Sequence, residues 1–130
     1  FFHSSSYTAN PLACAAANAN LAIWREEPVP ARIDNLTLRQ TKRLNALDHP
    51  AIINKRQIGT ITALEFVNSN GSYLSALGPA LSKFFRSKGI LLRPMGNTVY
   101  VMPPYCIDDS DLDAIYAAVE LAAKEIVQTE

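Results

Sequence analysis

Apolar residues recur at helical spacing in the first third of the chain, on both sides of a proline-rich break. Asn10-Pro11 predicts the start of a helix, because asparagine caps the free N–H groups of a first turn and proline tolerates the position after the cap. The alanine-rich stretch 12–26 continues this helix, and its small side chains favour packing on more than one side. Pro28 and Pro30 interrupt the pattern, and a more polar surface helix is predicted after them, ending near His49-Pro50.

Two further helical patterns lie in the second half of the chain. A short amphipathic helix is predicted to begin at Gly78-Pro79 and to end at Gly89, since glycine suits the position after a helix. The last helix is predicted to begin at an aspartate cap, Asp108 or Asp109, whose carboxylate accepts from the free N–H groups of the first turn. Its apolar stripe consists of Leu112, Ile115, Val119, Ala122 and Ile126.

Strand-like patterns lie between these helices. Residues 58–67 are rich in β-branched side chains and predict one strand, and residues 90–93 and 98–102 predict an antiparallel pair around a Pro-Met-Gly-Asn turn. Alternation places Tyr100 and Met102 on one face. The pattern predicts an α/β (α+β) domain: a short, mostly antiparallel sheet of three to four strands, covered by helices on one face and free to dock on the other.

Composition narrows the classes of function. Hydrophobic residues make up 48% and charged residues 18% of the 130 positions, as in an ordinary globular domain. Twelve basic and twelve acidic residues cancel, which argues against a nucleic-acid partner or an anionic membrane surface. No stretch has the pattern of a signal peptide or membrane span, and two cysteines without a CxxC pair predict a cytoplasmic protein. Because it starts at Phe1-Phe2 without methionine, we expect the chain to be cut from a longer polypeptide.

Candidate metal ligands and nucleophiles are few. His3 and His49 lack acidic or cysteine companions at ligand spacing, so no metal site is expected. Cys14 is expected to be a buried, inert thiol on the alanine-rich helix. An acidic cluster at the start of the last helix suits the helix dipole better than calcium. It consists of Asp108, Asp109, Asp111 and Asp113.

The most informative stretch is 91–105, Leu-Leu-Arg-Pro-Met-Gly-Asn-Thr-Val-Tyr-Val-Met-Pro-Pro-Tyr. Arg93 ends an apolar run and precedes a Pro-x-Gly turn, where a guanidinium can hold a carboxylate through two parallel hydrogen bonds. Taken alone, an arginine in this setting is more often a structural ion pair or a backbone cap. Taken alone, Tyr100 fits a half-buried strand tyrosine and Ser6 a loop serine.

Separated segments of the chain together resemble one family. Residues 3–17, beginning His-Ser-Ser-Ser-Tyr-Thr-Ala-Asn-Pro, are similar to the His-Gly-x-Thr-[Phe/Tyr]-x-[Gly/Ala]-Asn-Pro segment of the class III pyridoxal-phosphate-dependent aminotransferases. Residues 56–61 resemble that family's Arg-x-x-Gly strand. Residues 93–105 resemble the branch of the family that uses S-adenosylmethionine as amino donor in biotin biosynthesis.

The resemblance implies a fold and a set of site residues. It implies the C-terminal small domain of a fold type I pyridoxal 5'-phosphate enzyme, with 1–27 as the end of the large domain and a long interdomain helix, and 28–130 as the small domain. Ser6 falls where the family keeps a threonine that binds the cofactor phosphate of the neighbouring subunit in a homodimer. Arg93 falls on the arginine that holds the carboxylate of the substrate 8-amino-7-oxononanoate, and Tyr100 on a tyrosine lining the same site.

The resemblance also implies that the bond-making chemistry lies elsewhere. In the family the imine-forming lysine precedes the His-Gly-x-Thr segment, and the residues that stack on and protonate the cofactor ring belong to the large domain. We therefore expect no catalytic residue in this chain, which in isolation should be inactive and should not retain the cofactor. Three interpretations stay open: the biotin-pathway branch, a class III aminotransferase for another ω-amino acid or diamine, or a non-catalytic stand-alone domain.

Overall fold

The computed structural model describes residues 8–67 and 76–126. The chain divides into two compact units, 1–32 and 33–130, and the domain boundary after residue 27 stays a prediction. Within the described ranges, no helix combines the length and apolar character that a membrane crossing requires. The elements are α1 (Pro11–Glu26), α2 (Val29–Ala46), β1 (Ile52–Ile58), β2 (Ile61–Phe66), α3 (Leu77–Ser87), β3 (Thr98–Val101) and α4 (Asp109–Glu125).

Helix α1, in the first unit, begins where the sequence predicts. The Asn10 side chain accepts hydrogen bonds from the N–H groups of Leu12 (3.0 Å) and Ala13 (3.2 Å). None of the residues of α1 is buried, however, and Trp24 is 47% exposed. Cys14 is also exposed, so the expectation that it is a buried thiol is wrong. Small side chains permit close packing, but they do not by themselves supply a neighbour.

The three strands of the second unit form an antiparallel sheet in the order β1-β2-β3. This confirms the predicted mixture of helices with a short antiparallel sheet, although the strands differ. The sequence pattern missed β1, whose side chains are mostly exposed and whose register shifts between Ile53 and Arg56. It also merged the end of β1 into β2, whereas a two-residue turn separates Ile58 from Ile61. Gly59 opens that turn with φ +51°, a conformation that glycine adopts without steric cost.

The strand predicted at residues 90–93 is wrong. Residues 90–94 form no strand, and only Met95 makes an isolated bridge with Thr98. Ile90 and Leu92 instead pack against the helical core as irregular chain, which explains the apolar run without a strand. Because Pro94 has no N–H group, it would also interrupt a ladder at this point.

One face of the sheet lies against the helices and forms the core. Its buried side chains are Thr62, Leu64, Phe66, Val99 and Val101. Helices α2, α3 and α4 contribute to the same cluster, for example through Leu36, Phe85 and Val119. Placing helices on one face of the sheet is thereby confirmed. Helix α2 is a surface helix whose inner side, which includes Leu36 and Gln40, is buried. The expectation that Pro30 interrupts the helical pattern is wrong, because α2 begins at Val29 and proline is tolerated in a first turn.

A buried hydrogen-bonded cluster joins α2, β2 and α4. The Tyr116 hydroxyl donates to Gln40 Oε1 (2.9 Å) and lies 2.7 Å from Thr62 Oγ1. The Gln40 side-chain N–H donates to the carbonyl of Thr60. Burial raises the pKa of Tyr116, although its hydrogen bond with Thr62 acts in the opposite direction. Because buried polar groups are costly without partners, this cluster fixes how the two helices meet the sheet.

Candidate substrate-contact site

Arg93 and Tyr100 lie on the two sides of one tight turn. The Met95 N–H donates to the carbonyl of Thr98 (2.8 Å), and the Thr98 N–H donates to the carbonyl of Met95 (3.0 Å). Arg93 precedes Met95 by two residues, and Tyr100 follows Thr98 by two residues. The turn therefore brings the segments that carry the two predicted substrate residues to the same end of the sheet.

Tyr100 lies on the face of the sheet that the helices do not cover. Its neighbours Val99 and Val101 are 1% and 3% exposed and point into the core, so alternation directs Tyr100 to the opposite side. Tyr100 pairs with Ala63 on β2, which pairs with Arg56 on β1. In the described part of the chain, the Tyr100 hydroxyl makes no hydrogen bond. Ala63 lines a cavity of about 190 Å³ on this face, together with Arg56, Ile58 and Ile61.

The Arg93 side chain is exposed, and within residues 8–67 and 76–126 it forms no ion pair or hydrogen bond. Three other arginines of the same unit are paired with carboxylates at 2.7–2.8 Å: Arg39, Arg43 and Arg56. The structural roles that an arginine takes in this setting, an ion pair or a backbone cap, are thus not seen for Arg93 in the described residues. Within the described ranges, none of its five N–H donors is engaged by a protein group.

The nearby cation on the uncovered face is already neutralised. Arg56 lies 2.7 Å from Glu65 Oε1, and Asn54 donates to Glu65 Oε2 at 2.8 Å. Hydrogen bonds from Asn54 and from Arg56 lower the pKa of Glu65, so this carboxylate is charged at neutral pH. Because Arg56 is held by Glu65, it competes weakly with Arg93 for an anionic ligand.

Two other parts of the expected chemistry are the serine that would bind the cofactor phosphate and a lysine that could form an imine. Ser6 lies outside the described residues. All five lysines of the chain are exposed, including Lys55, which donates to the carbonyl of Leu47, and Lys124, which pairs with Glu120. An imine-forming lysine works in a desolvated site. None of these lysines fits that requirement, so no step of an imine reaction is assigned to this chain.

The acidic cluster at the start of α4 serves the helix and an ion-pair network. Asp108 caps α4 by accepting from the Asp111 N–H (2.8 Å), and Asp109 pairs with Arg39 (2.8 Å) and Arg43 (2.7 Å). Hydrogen bonds from Arg39 and then Arg43 lower the pKa of Asp109. Over the described ranges, no group of three or more histidine, cysteine or acidic residues is arranged to hold a metal. The matched four-residue spacing of the arginines on α2 and the aspartates on α4 was the signal that sequence reasoning missed.

A cavity of about 500 Å³ lies apart from these residues. It is lined by segments 88–92 and 101–104 and by one side of α4, including Ala114 and Ile115. Neither Arg93 nor Tyr100 lines it. The cavity is therefore not part of the candidate site, which lies on the uncovered face of the sheet and its adjoining turn.

The chain is similar in sequence to known proteins of one family. The family model described as aminotransferase class-III matches residues 2–122. A relative from Synechococcus elongatus, named adenosylmethionine-8-amino-7-oxononanoate aminotransferase, is 38% identical over 127 residues, which are 97% of this chain and 30% of the relative. The putrescine–pyruvate aminotransferase of Pseudomonas aeruginosa is 28% identical over 99% of this chain and 29% of its own length.

A solved structure shows the same likeness. The crystal structure of adenosylmethionine-8-amino-7-oxononanoate aminotransferase from Methanocaldococcus jannaschii matches with a TM-score of 0.84 at 28% identity, over 96% of this chain and 30% of that one. The fold described above is therefore a part of that enzyme fold. The chain spans about 30% of the length of the relatives named here.

Proposed function

Because the chain belongs to the class III aminotransferase family, we propose that it is the C-terminal segment of an enzyme that transfers an amino group from S-adenosylmethionine to 8-amino-7-oxononanoate. The product is 7,8-diaminononanoate, an intermediate of biotin synthesis. Two findings support this choice within the family: the 38% identical relative bears the name of that enzyme, and the string from Arg93 to Tyr105 resembles that branch.

In this proposal Arg93 binds the carboxylate of 8-amino-7-oxononanoate. The observation that carries it is an exposed guanidinium without a protein partner in the described residues, beside a turn whose other side carries Tyr100. A guanidinium binds a carboxylate through two parallel hydrogen bonds, which fixes orientation as well as affinity. Holding the acid end of the substrate in this way would aim its ketone, at the other end, toward the cofactor.

Tyr100 is proposed to line the same substrate site. Its ring offers an apolar surface to the hydrocarbon chain of the acceptor, and its hydroxyl, which has no partner in the described residues, can donate to a polar substrate atom. On the uncovered face of the sheet, Tyr100 pairs with Ala63, whose small side chain leaves space for the substrate beside the tyrosine ring.

The remaining parts of the proposed enzyme lie outside the described residues. Bound pyridoxal 5'-phosphate supplies the electron sink for aminotransfer. Ser6 is proposed to bind the phosphate of that cofactor across a homodimer interface, and the imine-forming lysine is proposed to come from sequence outside these 130 residues. The chain's own contribution is then to bind and orient the acceptor, with no catalytic residue of its own.

The test is Arg93→Ala in the full-length enzyme. We expect the KM for 8-amino-7-oxononanoate to rise about thirtyfold or more, because losing one partner of a hydrogen-bonded charge pair costs about 2 kcal/mol or more. The cofactor absorbance should stay normal, since Arg93 is not proposed to contact the cofactor. Arg93→Lys should recover only part of the affinity, because an ammonium cannot form the two-pronged contact.

A matched control is Arg86→Ala. Arg86 is another exposed arginine whose side chain has no described partner, but it lies in the last turn of α3 and is not proposed to contact the substrate. Its removal should leave the acceptor KM within about twofold, as for ordinary surface substitutions. An acceptor KM that did not move in Arg93→Ala, or that moved equally in Arg86→Ala, would refute the assignment of Arg93.

A second candidate is favoured by one observation, the likeness to a putrescine–pyruvate aminotransferase. In that case Arg93 would bind the carboxylate of another substrate, and the amino donor would be a diamine. Steady-state assays of the full-length enzyme with both substrate pairs separate the candidates. A higher kcat/KM with putrescine and pyruvate than with S-adenosylmethionine and 8-amino-7-oxononanoate would replace the first proposal by the second.

A further inference from the structure

The turn between Arg93 and Tyr100 is clamped to the neighbouring strand by Asn97. The Phe66 N–H donates to the carbonyl of Asn97 (2.9 Å), and the Asn97 side-chain N–H donates to the carbonyl of Phe66 (2.8 Å). One residue thus satisfies both main-chain groups of Phe66, which lies 31 positions earlier in the chain. A reciprocal pair of bonds constrains the tilt of the turn as well as its distance from β2, because either bond alone leaves a rotation free.

Helix α3 holds the same turn from another side. A Cβ atom added to Gly78, in the first turn of α3, would lie 3.1 Å from the carbonyl oxygen of Gly96 and 3.6 Å from its nitrogen. Gly96 opens the turn with φ +61°. A side chain at position 78 would therefore press on the backbone of the turn, which is supported by α3 as well as by Asn97.

The segment that carries Arg93 depends on this support. Its first residue, Ile90, is fixed to the end of α3, where its N–H donates to the carbonyl of Phe85 (2.9 Å). Its last residue, Met95, is fixed by the two hydrogen bonds to Thr98. Between them no regular strand forms, and Arg93 itself is exposed. Besides the packing of Leu92 against the core, the Arg93 backbone is held by these two hydrogen-bonded anchors, and the one nearer to Arg93 in sequence is the clamped turn.

We infer that Asn97 is a positioning residue for carboxylate recognition: its side-chain amide locks the turn so that Arg93 is presented next to Tyr100. The inference rests on the proposed function of Arg93. Asn97 does not touch the substrate in this account. It acts by preventing the turn from rotating away from β2, which would move the guanidinium off the position where both of its hydrogen bonds to a carboxylate are made.

The experiment is Asn97→Ala in the full-length holoenzyme, with steady-state kinetics for both substrates. We expect the acceptor KM to rise about three- to tenfold, the usual weight of one hydrogen bond, while kcat and the KM for the amino donor change less than about twofold. A merely structural role would lower the amount of active enzyme, and so kcat, without selectively changing one KM.

The chain offers a matched control at another glycine turn, the one that contains Gly59. The Gln57 side-chain amide donates to the carbonyls of Gly59 (2.8 Å) and Thr37 (2.9 Å) and so clamps the turn between β1 and β2. Gln57→Ala removes a side-chain amide of the same kind from a turn that carries no proposed substrate residue. It should lower the unfolding temperature and leave the acceptor KM unchanged.

A second variant decides the question even if Asn97→Ala does not fold. Gly78→Ala leaves every residue of the turn intact but pushes on the Gly96 carbonyl, and alanine suits a helix better than glycine. It should raise the acceptor KM in the same direction, by about two- to fivefold, with kcat retained.

The outcomes separate this inference from the proposed function. If Arg93→Ala raises the acceptor KM but a folded Asn97→Ala does not, or if Gln57→Ala raises it equally, the positioning role of Asn97 is overturned and the proposed function stands. Where Asn97→Ala does not fold, an unchanged acceptor KM in Gly78→Ala overturns that role in the same way. If Arg93→Ala has no effect, the proposed function falls and this inference falls with it. Selective rises in Arg93→Ala and in Asn97→Ala, or in Gly78→Ala where Asn97→Ala does not fold, without one in Gln57→Ala, support both.

Discussion

The two faces of the β-sheet differ in how their side chains are satisfied within the described chain. On the helix-covered face the apolar residues pack into one core, and the polar ones, such as Thr62, bond to α2 and α4. On the uncovered face Ile58 is 77% exposed, and Tyr100 and the adjoining Arg93 have no described polar partner. The covered face stabilises the fold, whereas the uncovered face carries polar side chains that have no partner within the described residues. Under the proposed function, this difference assigns stability and substrate recognition to opposite sides of the three strands.

The largest expected effect tests the covered face. Phe66→Ala removes a fully buried ring from the core, and the lost burial together with the cavity should lower the free energy of unfolding by about 3–5 kcal/mol. Urea unfolding followed by far-UV circular dichroism measures it. A loss below about 1 kcal/mol would mean that this face is not packed as described and would remove the basis of the comparison.

The buried polar cluster should have an intermediate effect. Tyr116→Phe deletes the hydroxyl that bonds to Gln40 and Thr62, so it should cost about 1–3 kcal/mol of unfolding free energy, the penalty for leaving buried polar groups short of a partner. Tyr105→Phe is the control, because that half-buried tyrosine also packs against the core but its hydroxyl makes no hydrogen bond within the described ranges. Equal effects of the two substitutions would show that ring packing, and not the hydrogen bonds, matters at Tyr116.

On the uncovered face, a substitution should change substrate binding more than the free energy of unfolding. Tyr100→Phe should change the free energy of unfolding by less than about 0.5 kcal/mol, because no described bond is lost. In the full-length enzyme it should raise the acceptor KM by about two- to tenfold, if the hydroxyl donates to the substrate. A large loss of stability with an unchanged KM would place Tyr100 among the structural residues and break the contrast between the faces.

The smallest effects are expected in the pH dependence of stability. Glu65 on the uncovered face should affect stability at acid pH, and Tyr116 on the covered side should affect it at alkaline pH. The pKa of Glu65 on the uncovered face is lowered by its hydrogen bonds from Asn54 and Arg56. Its contribution to stability is therefore present above the unfolded pKa of about 4.3 and is lost as the pH falls through the lower folded pKa. The pKa of Tyr116 on the covered side is raised by burial, so its contribution declines above about pH 10 and is lost as the pH rises through the folded pKa.

Unfolding temperatures measured from pH 2 to 11 in Glu65→Gln and Tyr116→Phe should show these limbs separately. The first substitution should flatten the acid limb only and the second the alkaline limb only. The acid effect should be small, because exposed charges are screened by solvent. If Glu65→Gln left the acid limb unchanged, the ion pair with Arg56 would contribute nothing measurable to stability.

Local signals predicted the helices better than the strands. Asn10-Pro11, Gly89 and Asp108 each mark a helix end through backbone chemistry that involves only nearby residues, and α1, α3 and α4 begin or end beside them. Strand β1 was missed because an edge strand with mostly exposed side chains carries no apolar alternation. The run Ile90 to Leu92 was assigned to a strand because a short apolar stretch looks alike whether it pairs in a sheet or packs irregularly against helices.

The candidate site was predictable only in part. Arg93 and Tyr100 follow from the residues of one contiguous stretch and from its likeness to a family, and their roles stay predictions. Asn97 carries no signal in the sequence beyond turn propensity, because its partner Phe66 is 31 positions away. Gly78 likewise carries no signal in the sequence, because Gly96 approaches it closely only in the folded structure.

The sequence by itself determined the features that depend on neighbouring residues: helix caps, glycine turns, the alternation that separates Tyr100 from Val99 and Val101, and the motifs that indicate the family. Tertiary structure alone decided which face of the sheet the helices cover, which arginines find carboxylates, and what clamps the turn beside Arg93. The physical reason is range. Caps and turns are set by bonds spanning a few residues, whereas burial, ion pairing between α2 and α4, and the Asn97–Phe66 clamp exist only after distant segments have packed together.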